Sequence, residues 1–168
     1  MDHVGRYRAR GVTVGLGTDC APHNLIEEMR LAIVAGRLMS EDIASLDTGG
    51  AFEAATLGGA RALGRDDIGI LAPGARADIV LVDLRHPLMQ PARDPLRSFV
   101  FHAADRAVRT VLVDGEVILA DGQPVHLDPE AAAATLAEAQ ARMIRDVPKI
   151  DYAQRAGDAI TPLSLPVQ

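Results

Sequence analysis

The sequence predicts an α/β fold, and three features of its pattern support this class. Residues 12–16 (VTVGL) form an apolar, β-branched run between two glycines, which is typical of a strand buried on both faces of a parallel sheet. Residues 24–39 follow with the composition of a helix. Further along, residues 79–82 and the apolar arms around Asp114-Gly115 favour strands joined by a hairpin.

Helices are predicted on both sides of the first strand. Residues 3–10 are expected to form the last turns of a helix that ends at Gly11. After the strand, Asn24 is a candidate N-cap, and Glu27 lies at the capping-box spacing three residues later. Glu27 and Glu28 are therefore interpreted as residues of the helix start, near the positive end of its dipole.

A further helix is predicted over residues 50–63, where the composition is rich in alanine. Gly58 and Gly59 interrupt it, and small residues there indicate close packing rather than contact with a ligand. Gly64 is expected to end this helix.

The chain then changes from helical to strand-like patterning. Pro73-Gly74 predicts a turn before the strand at residues 79–82, and Asp114-Gly115 predicts the hairpin turn. Between these strands, the proline-containing residues 86–105 are expected to run over the surface, with a short helix or strand near residues 98–104.

The C-terminal region is predicted to hold one long helix. Asp128 and Pro129 fit an N-cap and first-turn pair that opens a helix over residues 130–145. The tail after Val147 is expected to be extended or wrapped over a partner. The chain is expected to divide into three regions, residues 1–66, 67–125 and 126–168.

Composition excludes several functional classes. The chain has 168 residues, of which 48% are hydrophobic and 24% charged, so a folded domain is expected. The net charge of -6 and the scattered arginines argue against nucleic-acid binding. The sequence shows neither an apolar run long enough to span a membrane nor the apolar segment of a secretory signal, so a cytoplasmic location is expected.

Asp19 is the leading candidate for a functional residue. It follows the predicted strand directly, and the loops at the carboxyl ends of parallel strands form the active-site face of α/β proteins. A carboxylate there could bind a metal ion or accept a proton. The alternative is structural: Asp19 could cap its loop by accepting hydrogen bonds from backbone N–H groups.

His23 and Cys20 lie on the same loop. His23 is a candidate substrate-facing residue, whereas Cys20 lacks an evident base that would activate its thiol. His3, His86, His102 and His126 are expected to be ordinary surface or core residues.

Three stretches together resemble a known family. VTVGLGTDCAPHNLIEEMRLA, AATLGGARALGRDDIGILAPGARADIVLVDL and VRTVLVDGEVILADGQ are similar to the amidohydrolase superfamily, in the cytosine-deaminase-like and chlorohydrolase-like branch. The resemblance implies the last β/α unit of a TIM-type barrel, part of a small β-sandwich domain and a C-terminal helix. It also implies a divalent-metal hydrolase acting on carbon–nitrogen bonds of heterocycles, with zinc expected and iron as the alternative.

In that family the aspartate after strand 8, here Asp19, binds the metal and takes the proton of the attacking water. The family's HxH pair and other metal-binding histidines belong to earlier strands, and this sequence does not contain them. A catalytic zinc needs three protein ligands, so the chain alone is expected to be inactive. It is interpreted as a fragment or split-enzyme half that needs the missing N-terminal barrel portion or a homo-oligomer. The rival hypothesis is a non-catalytic interaction module or a decayed remnant.

Overall fold

The computed structural model describes residues 3–19 and 23–165, which fall into two compact units. Unit 1 spans Met1–Val125 and unit 2 spans His126–Gln168. Helices and one small antiparallel sheet make up the fold, so the predicted mixed α/β class is confirmed. The three-part division at residues 66 and 125 stays a prediction.

The helices of the first half of unit 1 begin and end close to where the sequence predicts. Asn24 caps α2 (Leu25–Ser40) by accepting hydrogen bonds at Oδ1 from the backbone N–H groups of Ile26 and Glu27, at 3.1 and 3.3 Å. Gly11 and Gly64 follow the helix ends with φ values of 75° and 68°, which suit glycine. The elements are α1 (Val4–Ala9), α2 (Leu25–Ser40), α3 (Thr48–Glu53), a π-helical turn (Ala54–Gly58) and α4 (Gly59–Ala62).

The predicted parallel strand at residues 12–16 is not formed, and this expectation is wrong. The segment has no strand partner within residues 3–19 and 23–165, and its residues are exposed or half-buried instead of buried on both faces. Strand structure requires a neighbouring backbone to pair with. The four strands of the described sheet all lie later, between residues 79 and 124.

The glycine pair holds the 12–16 segment against the helices. A Cβ on Gly58 would lie 2.2 Å from the Val14 carbonyl oxygen, and one on Gly15 would lie 3.0 Å from the Gly59 Cα. The predicted close packing is therefore confirmed, and its partner is the backbone of residues 14–15. Only glycine allows two backbones to approach this closely.

The antiparallel sheet has the predicted hairpin at its centre. Asp114 and Gly115 have φ values of 51° and 85°, and the paired positive angles are those of a type I′ turn. Val113 pairs with Glu116 at the end of the hairpin. The strands are β1 (Ile79–Val82), β2 (Val108–Val113), β3 (Glu116–Ala120) and β4 (Gln123–Pro124), in the order β1-β2-β3-β4.

The expected surface location of the proline-containing connector is confirmed in part: Pro87, Pro91 and Pro95 are exposed, whereas other residues of the connector enter the core. Val100 is fully buried in a cluster with Met29 and Ile33 of α2, and Met89 is buried in a second cluster. The connector folds into short helices, so its backbone groups are hydrogen-bonded and its apolar side chains turn inward. These are a 3₁₀ turn (Pro87–Met89), α5 (Pro95–Ser98), a π-helical turn (Phe99–Ala103) and a 3₁₀ turn (Ala104–Ala107).

Unit 2 consists mainly of the predicted C-terminal helix, α6 (Pro129–Ile150). The Asp128 carboxylate accepts hydrogen bonds from the N–H groups of Glu130 and Ala131, so the predicted cap is confirmed. The expectation of an extended tail is wrong in part, because α6 continues to Ile150 and α7 (Gly157–Ile160) follows. The described helices include none with both the length and the hydropathy that crossing a bilayer requires.

Candidate functional site

The loop that carries Asp19 is fixed at both of its ends. Before it, the backbone N–H of Leu16 donates to the Ala54 carbonyl at 3.1 Å, which attaches residues 12–16 to the π-helical turn at Ala54–Gly58. After it, the Asn24 cap fixes the start of α2. Thr18, Asp19 and His23 therefore lie between two anchored elements of unit 1.

Asp19 has an unusual backbone conformation. Its φ of 55° lies in the left-handed region, which few residues other than glycine adopt, although aspartate tolerates it better than most. The residue is exposed, and its carboxylate makes no hydrogen bond or ion pair within residues 3–19 and 23–165. The loop-capping alternative involves the N–H groups of residues 20–22, which lie outside the described residues, as does Cys20.

His23 is oriented by a neighbour that the sequence reasoning did not single out. Its Nδ1 lies 3.1 Å from the Oγ1 of Thr18, within hydrogen-bond distance. This interaction leaves the other ring nitrogen, Nε2, without a partner among the described residues. A hydroxyl residue on the same loop as a histidine is the only sequence signal for such a pair, and it is weak.

His23 is one of the residues that line a large apolar groove in unit 1. The groove has a volume of about 1110 Å³, and Asn24 borders it beside His23. Phe52 of α3 and Thr56 of the following π-helical turn line the groove, and so do residues of β1. The groove is thus apolar, with the imidazole among its few polar groups.

The described residues do not by themselves form a metal centre. No three side chains of His, Cys, Asp or Glu converge anywhere in residues 3–19 and 23–165. Asp19 is not among the residues that line the groove, although His23 is. Since a catalytic zinc has three protein ligands, a single carboxylate does not fit that requirement.

The remaining candidates have structural roles. The His86 Nδ1 accepts a hydrogen bond from the Leu88 N–H at 3.1 Å and caps a 3₁₀ turn. Glu27 and Glu28 lie in the first turn of α2, as the capping pattern indicates. These positions agree with the expectation that they serve the helices.

Electrostatics near the site stabilise the helices that support it. The Arg8 guanidinium donates to Glu53 Oε2 at 2.6 Å, and Arg61 donates to Oε1 at 3.1 Å. The hydrogen bond from Arg8, followed by its charge, lowers the pKa of Glu53 below its ordinary value, and Arg61 adds to this shift. The pair joins α1 to α3, the helix that leads into the π-helical turn holding Leu16.

Comparison with known proteins identifies the family. The pattern of the amidohydrolase family matches residues 2–118, which is more than half of the chain. The chain therefore belongs to the amidohydrolase family, as the three sequence stretches indicated.

Two relatives show the breadth of the family around this chain. It is 40% identical over 139 residues to a 5-methylthioadenosine/S-adenosylhomocysteine deaminase of Pelotomaculum thermopropionicum, covering 80% of this chain and 31% of the relative. It is 42% identical over 123 residues to an S-triazine hydrolase of Gordonia rubripertincta, covering 70% of this chain and 26% of the relative. The chain thus spans about a third or less of the length of these curated relatives.

The fold is also similar to that of a solved enzyme. An adenosine deaminase from Xanthomonas campestris, crystallised with bound zinc, superposes with a TM-score of 0.77 at 30% identity. The match covers 83% of this chain and 33% of that enzyme. The arrangement of the described helices and sheet is therefore similar to the arrangement in one third of the solved enzyme.

Proposed function

We propose that this chain forms the C-terminal part of a metal-dependent hydrolase that acts on carbon–nitrogen bonds other than peptide bonds, deaminating or dechlorinating a nitrogen heterocycle. The observation that carries the proposal is the 40% identity over 139 residues to a deaminase. The S-triazine hydrolase relative supports a nitrogen heterocycle as the substrate. In this interpretation residues 12–40 correspond to the last β/α unit of a TIM-type barrel, and the small sheet to part of a β-sandwich.

Asp19 is the residue that we propose this chain contributes to the metal centre. Its support is its place at the end of the anchored 12–16 segment, its left-handed backbone and its lack of partners among the described residues. His23 is the proposed substrate neighbour, because its ring borders the groove and Thr18 holds one of its nitrogens. The other metal ligands come from protein outside these 168 residues, on the same or another polypeptide.

The exposed apolar surface of unit 1 supports a need for such additional protein. Leu38 and Leu71 are each 76% exposed. In addition, the backbone of residues 12–16 is not paired with any described strand. Surfaces of this kind mark contacts with other protein. The missing barrel portion is the proposed partner, with a homo-oligomer as the alternative, and the cytoplasmic location stays a prediction.

The test compares the chain alone with the chain completed by a relative. The purified chain with added zinc is expected to release neither ammonia from adenosine-type nucleosides nor chloride from chlorotriazines. Mixed with a polypeptide that carries the remaining two thirds of the deaminase relative, it is expected to gain bound zinc and deaminase turnover. Robust turnover by the chain alone would contradict the proposed incompleteness.

Asp19→Asn tests the assignment of the carboxylate in the same mixture. Loss of a group that only orients a metal ligand costs about 10- to 100-fold in activity or metal affinity, so loss of a ligand itself is expected to lower activity at least about a hundredfold. The zinc content of the mixture is expected to fall as well. Glu41→Gln is the matched control, because Glu41 is also an exposed carboxylate with a φ of 55°. Equal effects of the two substitutions would exclude a specific role for Asp19.

A second candidate function is a non-catalytic interaction module. It is favoured by the absence of converging metal ligands among the described residues and by the exposed apolar side chains. Size-exclusion chromatography with light scattering separates the alternatives when combined with the assay. A stable complex with the completing polypeptide but no zinc uptake and no turnover would favour the module over the hydrolase.

A further inference from the structure

A second pocket in unit 1, separate in its lining residues from the apolar groove, is lined mainly by polar and cationic side chains. It has a volume of about 500 Å³. Its polar lining residues are Gln90, Arg93, Asp94, Arg97, Ser98 and His102, all on the connector between β1 and β2.

The two arginines of this pocket have no counter-ion within the described residues. Neither Arg93 nor Arg97 makes an ion pair, and neither guanidinium makes a hydrogen bond there. Elsewhere in unit 1, Arg8, Arg65 and Arg109 each form an ion pair with a carboxylate. Other arginines of unit 1 that lack an ion pair have a different partner: Arg30 donates to the Val100 carbonyl, and Arg37 lies over the ring of Phe101. Arg93 and Arg97 have neither kind of partner within the described residues.

The one carboxylate of the pocket is already engaged by the backbone. Asp94 Oδ1 accepts a hydrogen bond from the Arg97 N–H at 3.0 Å and caps α5. The two guanidinium groups therefore outnumber the acidic groups, and the acid is oriented toward the helix start. The local field in the pocket favours an anion.

Ser98 adds a neutral donor. Its exposure is 9%, which makes it the buried polar residue of the described core, and its hydroxyl has no hydrogen-bond partner within the described residues. The hydroxyl oxygen is not among the fully enclosed side-chain atoms, so it can donate to a group in the pocket that Ser98 lines. Ser98 directly precedes the π-helical turn that carries His102, and such turns occur frequently at functional sites.

The walls of the pocket are held in place by the core. The Gln90 Nε2 donates to the Leu84 carbonyl at 2.6 Å, and the adjacent Met89 is 1% exposed. Val100 and Ala103 are fully buried and fix the turn at Phe99–Ala103 that carries His102. Arg97 and Ser98 are thus attached to a rigid support, which lowers the entropic cost of binding.

We propose that this pocket binds the phosphate group of a small molecule. Two guanidinium forks and a hydroxyl together supply several donors, and phosphate has enough oxygens to accept from all of them, whereas a carboxylate has only two. The volume exceeds that of inorganic phosphate alone, so a phosphate monoester of a small metabolite fits the site better than the free ion.

Calorimetric titration of the full chain tests this site. Inorganic phosphate and glycerol phosphate are each titrated at low ionic strength, with acetate at matched ionic strength for comparison. We expect saturable binding of one phosphate group per chain, weakening as salt is added, and no saturation with acetate. Tighter binding of glycerol phosphate would assign the ester as the ligand, and equal binding would assign the free anion; both results support the phosphate site.

Arg97→Ala and Arg93→Ala are each expected to weaken phosphate binding about tenfold, since each removes charge-assisted hydrogen bonds. Arg142→Ala is the matched control, because it removes the same charge from an exposed position in unit 2. Backbone amide shifts of Ser98 and His102 on phosphate addition provide a measurement on the unmodified chain. Unsaturable heats, equal binding of acetate, or unchanged affinity in both pocket variants would overturn the proposal.

Discussion

The Oγ1 of Thr18 and the Nδ1 of His23 lie 3.1 Å apart across the loop that carries Asp19. Thr18 precedes Asp19 and His23 follows it in the chain, so this side-chain contact joins the two flanks of the loop. It also leaves the Nε2 of His23 as the ring nitrogen free of partners within the described residues. The position of the imidazole therefore depends on a neighbouring hydroxyl.

Thr18→Val removes this contact while preserving the shape of the side chain. We expect the ¹⁵N shift of His23 Nδ1 to change in imidazole NMR spectra, because the nitrogen loses its hydrogen-bond partner. The free energy of unfolding is expected to fall by less than about 1 kcal/mol, since the contact is exposed. Thr56→Val is the control, as the Thr56 hydroxyl donates to the Phe52 carbonyl; identical His23 shifts in both variants would contradict the contact.

Gly58→Ala tests the close packing of the 12–16 segment. The added Cβ would lie 2.2 Å from the Val14 carbonyl oxygen, and the backbone must move to relieve this overlap. Urea unfolding is expected to show a loss of about 2 kcal/mol or more. Gly59→Ala is the matched control, because its Cβ would have no atom closer than 4.0 Å and alanine favours a helix by about 1 kcal/mol. Equal stability of the two variants would show that the segment is not packed there.

Val100→Ala tests whether the proline-containing connector is part of the core. Val100 is fully buried against α2, so the loss of its methyl groups is expected to cost about 2 kcal/mol of unfolding free energy. Val34→Ala on α2 provides a comparison, because Val34 is 42% exposed and should lose much less. If both substitutions had the same small effect in urea, the connector would have to lie on the surface.

Asp67 links acid stability to one group of ion pairs. Hydrogen bonds from Arg65, and more weakly from Arg76, lower its pKa from 3.8 to about 2. Because the folded pKa is the lower one, its contribution to stability is present above pH 3.8 and is lost as the pH falls toward 2. NMR titration of the Asp67 carboxyl should show this depressed value.

Arg65→Met should raise the pKa of Asp67 toward its ordinary value and reduce the loss of stability on acidification. Asp66→Asn serves as the control, since Asp66 has no hydrogen bond or ion pair within the described residues. An Asp67 carboxyl that titrates in the unmodified chain as it does in Arg65→Met would rule out the ion-pair explanation.

The local elements could be predicted because their signals are local. The Asn24 and Asp128 caps and the Asp114-Gly115 turn depend on contacts within a few residues, and each forms as predicted. Asp19 and His23 could be selected as candidates from their position after an apolar run. Their roles stay predictions, since the groups that would complete a site are not in this chain's described residues.

The errors concern segments whose structure depends on distant neighbours. Residues 12–16 have the composition of a buried strand, yet a strand exists only where another backbone pairs with it. The prolines of residues 86–105 lie on the surface as expected, but Met89 and Val100 are buried in two apolar clusters that the order of residues did not reveal.

The sequence by itself determined the family, the caps, the turns and the α/β class, because these follow from motifs and from contacts between residues close in the chain. Only the tertiary structure decided that Thr18 contacts His23, that Gly58 packs on Val14, and that Arg93 and Arg97 share a pocket. The physical reason is that packing and pairing are set by which surfaces meet in space, and the order of residues along the chain does not specify those meetings directly.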